Sequence, residues 1–248
     1  MVHRRVSGFL IIILAFSCSS TFASKNLCPI KLMSKCQCLK YEDELLKNGV
    51  RIECSSTNSS IFHHEIDKID EFLTTKLNKT RSIYALQVRD SKLSQLRGLP
   101  RGLFEVRHLT FDNTGIDPEQ IRESSELLQK LISLRVYNEN FTEIPENFFQ
   151  EMPQTLAVIE LNQIGITAIS EDAFRHLEDS LKELRLRKNK LRQIPIAIEA
   201  LHNLETLDLE DNEINSVKND LSHLLESNLK SLYNMHMNRK LTRHTDQS

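Results

Sequence analysis

The sequence predicts an α/β-type solenoid, with a parallel β-sheet on the concave face, irregular or short-helical returns on the convex side, and a cysteine-rich N-terminal segment. Leucine occupies 36 of 248 positions and recurs at fixed spacing. Four of the five cysteines fall between Cys28 and Cys54. Glycine and proline supply only 6 residues each, too few for a collagenous or low-complexity chain, while 40% hydrophobic and 27% charged residues are ordinary for a folded protein. Lys plus Arg (32) nearly balances Asp plus Glu (34), so no cationic excess points to nucleic acid or anionic lipid as a partner.

Residues 1–23 place His3, Arg4 and Arg5 before the apolar run Gly8–Phe16, followed by a polar stretch and the small residue Ala23. This is the layout of a secretory leader, and the run is too short to span a bilayer. Removing it takes the net charge from −2 to −4. No other stretch approaches the length of a membrane span, and the tail, residues 238–248, is polar, so no membrane insertion or lipid anchor is expected. The mature protein is therefore expected outside the cell.

Residues 24–80 carry Cys28, Cys36, Cys38 and Cys54. An even number of cysteines in an oxidising compartment predicts two disulfides, with three connectivities open. A zinc site is disfavoured because Cys36 and Cys38 have one residue between them, where zinc knuckles use two and need a second ligand pair. Asn58, Asn78 and Asn140 each open an Asn-x-Ser/Thr acceptor sequence for glycosylation.

Residues 81–237 repeat one template, Leu-x-x-Leu-x-Leu-x-x-Asn-x-Leu. Its fullest copies are Leu181, Leu184, Leu186, Asn189, Leu191 and Leu204, Leu207, Leu209, Asn212, Ile214. Upstream copies begin at Ile83, Val106, Leu131 and Leu156, so six copies stand in register with steps of 23 or 25 residues. A degenerate seventh begins at Leu229 and Leu232, with Met235 and Met237 packing behind it. Each Leu-x-Leu alternates with period two and makes a short strand with its apolar side chains on one face. One copy cannot bury that face alone, so neighbours stack into a solenoid, with Phe104, Phe148, Phe149, Phe174 and Leu201 packing in the returns. Of the Asn slots, only Asn189 and Asn212 hold asparagine. Ser91 and Thr114 are weak substitutes, and Glu139 and Ile164 are not expected to do the same job, so the N-terminal half should be the more irregular.

These features resemble extracellular leucine-rich repeat proteins with an N-terminal cysteine cap. The resemblance implies a horseshoe with a disulfide cap, pairing Cys28–Cys38 and Cys36–Cys54, and a cap strand at Val50–Cys54. Within that group, the spread-out cap and the loop Glu143–Phe149 are similar to secreted arthropod proteins named after the non-catalytic subunit of oplophorus-luciferin 2-monooxygenase. Many relatives carry a C-terminal cysteine cap, whereas this chain has no cysteine beyond Cys54.

The outward residues between the leucines place a basic trio, Arg185, Arg187 and Lys188, beside an acidic trio, Asp208, Glu210 and Asp211. This surface either docks a partner of complementary charge or neutralises itself across the sheet. Arg135, Tyr137 and Arg185 are the residue types favoured at interface hot spots. A glycan on Asn140 would shield one flank and push binding toward the C-terminal repeats.

No catalytic residues, metal ligands or cofactors are expected. The adjacent His63 and His64, beside Glu65, do not share a helix or strand face and have no second ligand group at suitable spacing, and His176, His202 and His223 read as packing positions in successive returns. Nucleophile elbow, phosphate loop and HExxH motifs are absent. The function read from the sequence is a secreted, non-enzymatic binding protein that recognises protein or glycan through the concave face. The alternative, implied solely by the resemblance, is a non-catalytic subunit of a secreted oxidative enzyme complex with a catalytic partner.

Overall fold

The computed structural model describes residues 34–43, 46–75, 82–93, 105–215 and 229–233. Residues 1–23, Cys28, Asn78, Phe104, His223, Met235, Met237 and residues 238–248 lie outside them.

The chain opens with β1 (Cys36–Asp43) and β2 (Leu46–Ser55), followed by α1 (Ser59–Thr75). The repeats then supply β3 (Ser82–Arg89), β4 (His108–Asp112), α2 (Pro118–Glu123), β5 (Ser133–Tyr137), β6 (Glu143–Ile144), β7 (Val158–Asn162), β8 (Ala168–Ile169), β9 (Glu183–Arg185), β10 (Thr206–Asp208) and β11 (Ser231–Tyr233). One sheet runs β1-β2-β3-β4-β5-β7-β9-β10-β11. Only the β1–β2 pair is antiparallel; every later neighbour is parallel. The fold is a leucine-rich repeat solenoid.

The register equates the leucine slots directly. Leu86, Leu109, Leu134, Ile159, Leu184, Leu207 and Leu232 are successive Cα partners across the sheet. The six of these before Leu232 are almost completely buried and join one core running from Cys36 to Ile214. The returns close that core from the convex side. Phe148 and Phe149 meet edge to face at 4.6 Å, and Phe149 stacks on Phe174 at 5.4 Å, a geometry that adds to the area these rings bury. The short-helical returns are α2, entered through an Asp117–Gln120 capping box, and single 3-10 turns at Ser125–Leu127, Arg175–Leu177 and Ile196–Ile198. A feature the template does not announce is the convex two-stranded sheet of β6 and β8.

In the cap, Cys36 and Cys54 are directly opposite across β1 and β2 and are joined by a disulfide. Cys38 is also disulfide-bonded, and Cys28, the partner the resemblance implies, lies outside the described residues. Gly49 lets β2 meet the first repeat: a Cβ there would stand 2.2 Å from the ring of Tyr84. Helix α1 starts at Asn58, whose Oδ1 accepts from the Ile61 N–H, and buries Phe62, Ile66, Ile69 and Leu73 on one face.

A turn follows each repeat strand. Asp90, Asn113, Asn138, Gln163, Lys188 and Asp211 all have φ between 44° and 58°, with the same 23- or 25-residue spacing as the leucines. These residues leave the strand rather than continue its outward face. The next residue is the Asn slot, which satisfies the backbone this reversal exposes. Asn189 Oδ1 accepts from Ile164, Gly165 and Ile166 N–H, while its Nδ2 donates to Leu161, Leu186 and Arg187 carbonyls. Asn212 accepts from Leu191 N–H and donates to Leu186 and Leu209 carbonyls. Ser91 accepts from Thr57 N–H and donates to the Arg89 carbonyl.

The expectation for Glu139 is overturned. Its carboxylate accepts from Thr114 N–H and Oγ1 at 2.6 and 2.8 Å and from Gly115 N–H at 2.9 Å. Those groups stand 24 and 25 residues before it, the same offsets as between Asn189 and Ile164 and Gly165, so Glu139 supplies the acceptor half of the asparagine's role. The N-terminal half is also not the less regular one by strand length: β4, β5 and β7 have five residues, β9 and β10 three.

Burial raises the Glu139 pKa, a rise the bonds from Thr114 and Gly115 oppose and the nearby Asp112 charge reinforces. With its folded pKa above the ordinary value, its stabilising contribution is full at acid pH and declines as pH rises through the raised pKa. Glu139→Asn should therefore hold or raise the melting temperature at pH 7. Glu139→Leu, which leaves the Thr114 and Gly115 donors unpaired, should lower it by about 5 °C. Thermal denaturation of both variants separates an acceptor role from mere space filling.

Candidate functional site: the outward sheet face

Between the buried slots, β3, β4, β5, β7, β9 and β10 project three outward rows. The middle row is Gln87, Thr110, Arg135, Glu160, Arg185 and Asp208, each the register neighbour of the next. From Arg135 onward the charges alternate, and neighbouring strands lie about 4.8 Å apart, so each side chain meets an opposite charge.

Glu160 is the hub. Arg135 Nε donates to its Oε1 at 2.9 Å and Arg185 Nη1 to the same oxygen at 2.8 Å, while the Tyr137 hydroxyl donates to Oε2. The Glu160 side chain is only 10% exposed, against 32% for each arginine, so the carboxylate is held under its partners. Burial raises the Glu160 pKa, but the hydrogen bonds of Tyr137 and Arg135 and the charges of both arginines outweigh it, and the carboxyl titrates below its ordinary range. Burial and the same carboxylate push the Tyr137 phenol upward, so it remains a donor.

The predicted trios divide. Arg187 pairs with Asp208 and Glu210, but Arg185 turns the other way, to Glu160 and to Glu183. Asp208 is buried at 4% exposure and accepts from Glu210 N–H, so it supports the face from beneath. Lys188 and Asp211 sit in the left-handed turns beyond the strands, both exposed. Glu160 was missed as a site residue, although the signal was present: Arg135, Glu160, Arg185 and Asp208 stand 25, 25 and 23 residues apart and alternate in sign.

The histidine motif resolves as structure. Glu65 is 4% exposed, and its carboxylate accepts from Ser34, Lys35 and Cys36 N–H and from the Ser34 hydroxyl, tying the start of β1 to α1. His63 Nδ1 contacts the Ser59 carbonyl oxygen within α1, and His64 is exposed. His176 and His202 lie exposed on the convex side rather than packed in the returns. Among the described residues, no group of His, Cys, Asp and Glu is arranged to hold a metal ion. No helix among them is long and apolar enough to cross a membrane.

Comparison with known proteins agrees with this architecture. Residues 154–214 match a leucine-rich repeat family profile, and residues 203–232 match a second one. The chain is similar to asporin of Bos taurus, with 23% identity over 187 residues that cover 63% of this chain and 48% of asporin. The match thus spans about half the length of that relative.

Proposed function

We propose that the protein is a secreted, glycosylated, non-enzymatic binding module that recognises a protein partner through the outward face of β5, β7 and β9. The observation that carries this reading is the cluster of Arg135, Tyr137 and Arg185 on Glu160. Two arginines and a tyrosine fixed on an open sheet face lose little side-chain entropy when a partner binds, and these are the residue types that dominate interface energetics. Secretion is supported by the leader-like residues 1–23 and by the disulfide Cys36–Cys54. Two of the three acceptor asparagines, Asn58 and Asn140, are exposed, in keeping with glycosylation.

Arg135→Ala and Tyr137→Ala should each weaken capture of the native partner by about tenfold or more, whereas Gln150→Ala on the convex side should change it less than about twofold. Loss confined to the convex variant would refute the reading. The alternative, a non-catalytic subunit of a secreted oxidative enzyme complex, requires a catalytic chain in fixed stoichiometry after purification from the native source. Recovery as a lone chain under mild conditions counts against it.

A further inference from the structure

At the edge of the face, where the strands run into their left-handed turns, lies a depression of about 350 Å³. Asp112, Tyr137, Asn138, Asn162, Gln163 and Lys188 border it. Its size is at the lower end for small-molecule clefts, the scale of a terminal sugar.

Two carboxamides in it have fixed orientations. Asn138 Nδ2 donates to Asp112 Oδ1 at 2.6 Å, which leaves Asn138 Oδ1 as an acceptor. The Arg187 N–H donates to Asn162 Oδ1 at 2.8 Å, which leaves Asn162 Nδ2 as a donor. Neither remaining atom has a hydrogen-bond partner among the described residues. The site thus presents an oriented acceptor on β5's turn and an oriented donor on the next strand.

Three features set the chemistry of the ligand. The lining charges cancel: Arg187 is paired with Asp208 and Glu210, which leaves one carboxylate, Asp112, and one ammonium, Lys188. A charged ligand therefore gains little. The lining is polar apart from one tyrosine ring, unlike the apolar, water-free pocket that seats a protein anchor residue. Neighbouring hydroxyls, each able to donate and accept, match an acceptor beside a donor.

We propose that this depression is a subsite for a neutral saccharide unit carried by the protein partner. One hydroxyl donates to Asn138 Oδ1, an adjacent one accepts from Asn162 Nδ2, and Gln163 and Lys188 reach further hydroxyls. This rests on partner recognition through the sheet face and specifies what one edge of that face reads.

The test is NMR of the full mature chain, following side-chain amide signals during titration with the methyl glycosides of mannose, galactose and glucose to about 50 mM, the range that detects weak sites. At least one glycoside should shift the Asn138 and Asn162 amide signals saturably. Asn162→Asp keeps the acceptor for the Arg187 N–H but loses the donor, so it should weaken that binding about tenfold at unchanged melting temperature. Gln163→Gly, at φ 57° where glycine carries no steric cost, should weaken it severalfold and provides a second readout.

The subsite is overturned if no glycoside shifts these signals, if the shifts survive Asn162→Asp, or if a tetrapeptide of alternating Asp and Glu shifts them more strongly. Saccharide failure with Arg135- and Tyr137-dependent partner capture intact overturns the subsite alone. The converse result overturns the protein-recognition reading alone.

Discussion

Asn189→Leu is expected to lower the melting temperature by roughly 10 °C, the equivalent of about 3 kcal/mol in a chain of this size. Asn189 is 5% exposed, and no solvent replaces its bonds to the three N–H groups of Ile164, Gly165 and Ile166 or to the carbonyls of Leu161, Leu186 and Arg187. Leucine fills the volume but pairs with none of them, and each buried unpaired group costs on the order of 1–3 kcal/mol when it cannot relax. Because each repeat is stabilised by its neighbours, amide exchange should accelerate in both the β7 and the β9 repeats. A drop of less than about 3 °C would mean that leucine stacking alone holds the turns.

Glu65→Leu is expected to cost a similar amount, about 3–4 kcal/mol, but with its effect confined to the cap. Three backbone N–H groups and the Ser34 hydroxyl lose a charged acceptor, and hydrogen bonds to charged groups contribute about 1.5–3 kcal/mol each before relaxation. The effect also has a pH signature. Burial raises the Glu65 pKa, but the bonds from Ser34, Lys35 and Cys36 lower it further, so the folded value lies below the ordinary 4.5. The stabilisation is therefore present above that value and is lost as pH falls through the folded pKa. The difference in melting temperature between wild type and Glu65→Leu should be full at pH 7 and should shrink on acidification. A gap unchanged down to pH 2 would show that the Glu65 charge is not what holds β1.

The leucine register was legible because a buried slot in a stacked repeat has a fixed period and accepts few residue types; Leu86 through Leu232 pair in the order their spacing dictates. The turn roles were only partly legible. Asparagine can accept and donate, and Asn189 does both, whereas Glu139 keeps the acceptor half alone and so falls outside the consensus. Glu65 was illegible for another reason: its partners lie 29–31 residues upstream in a segment that does not repeat, so no period points to them. On the face, residue identities were readable but pairing was not. Two arginines and a tyrosine converge on one carboxylate, and the trio boundaries drawn from sequence cut across that cluster, separating Arg185 from Glu160.

The central claim is that the sheet face, not the convex side, meets the partner. A photoreactive residue at Val158, on the outward side of β7, and another at Gln150, on the convex return, test it in an extract of the native source. Covalent capture of a partner from Val158 and none from Gln150 is the predicted result; capture from Gln150 with Val158 silent would contradict it.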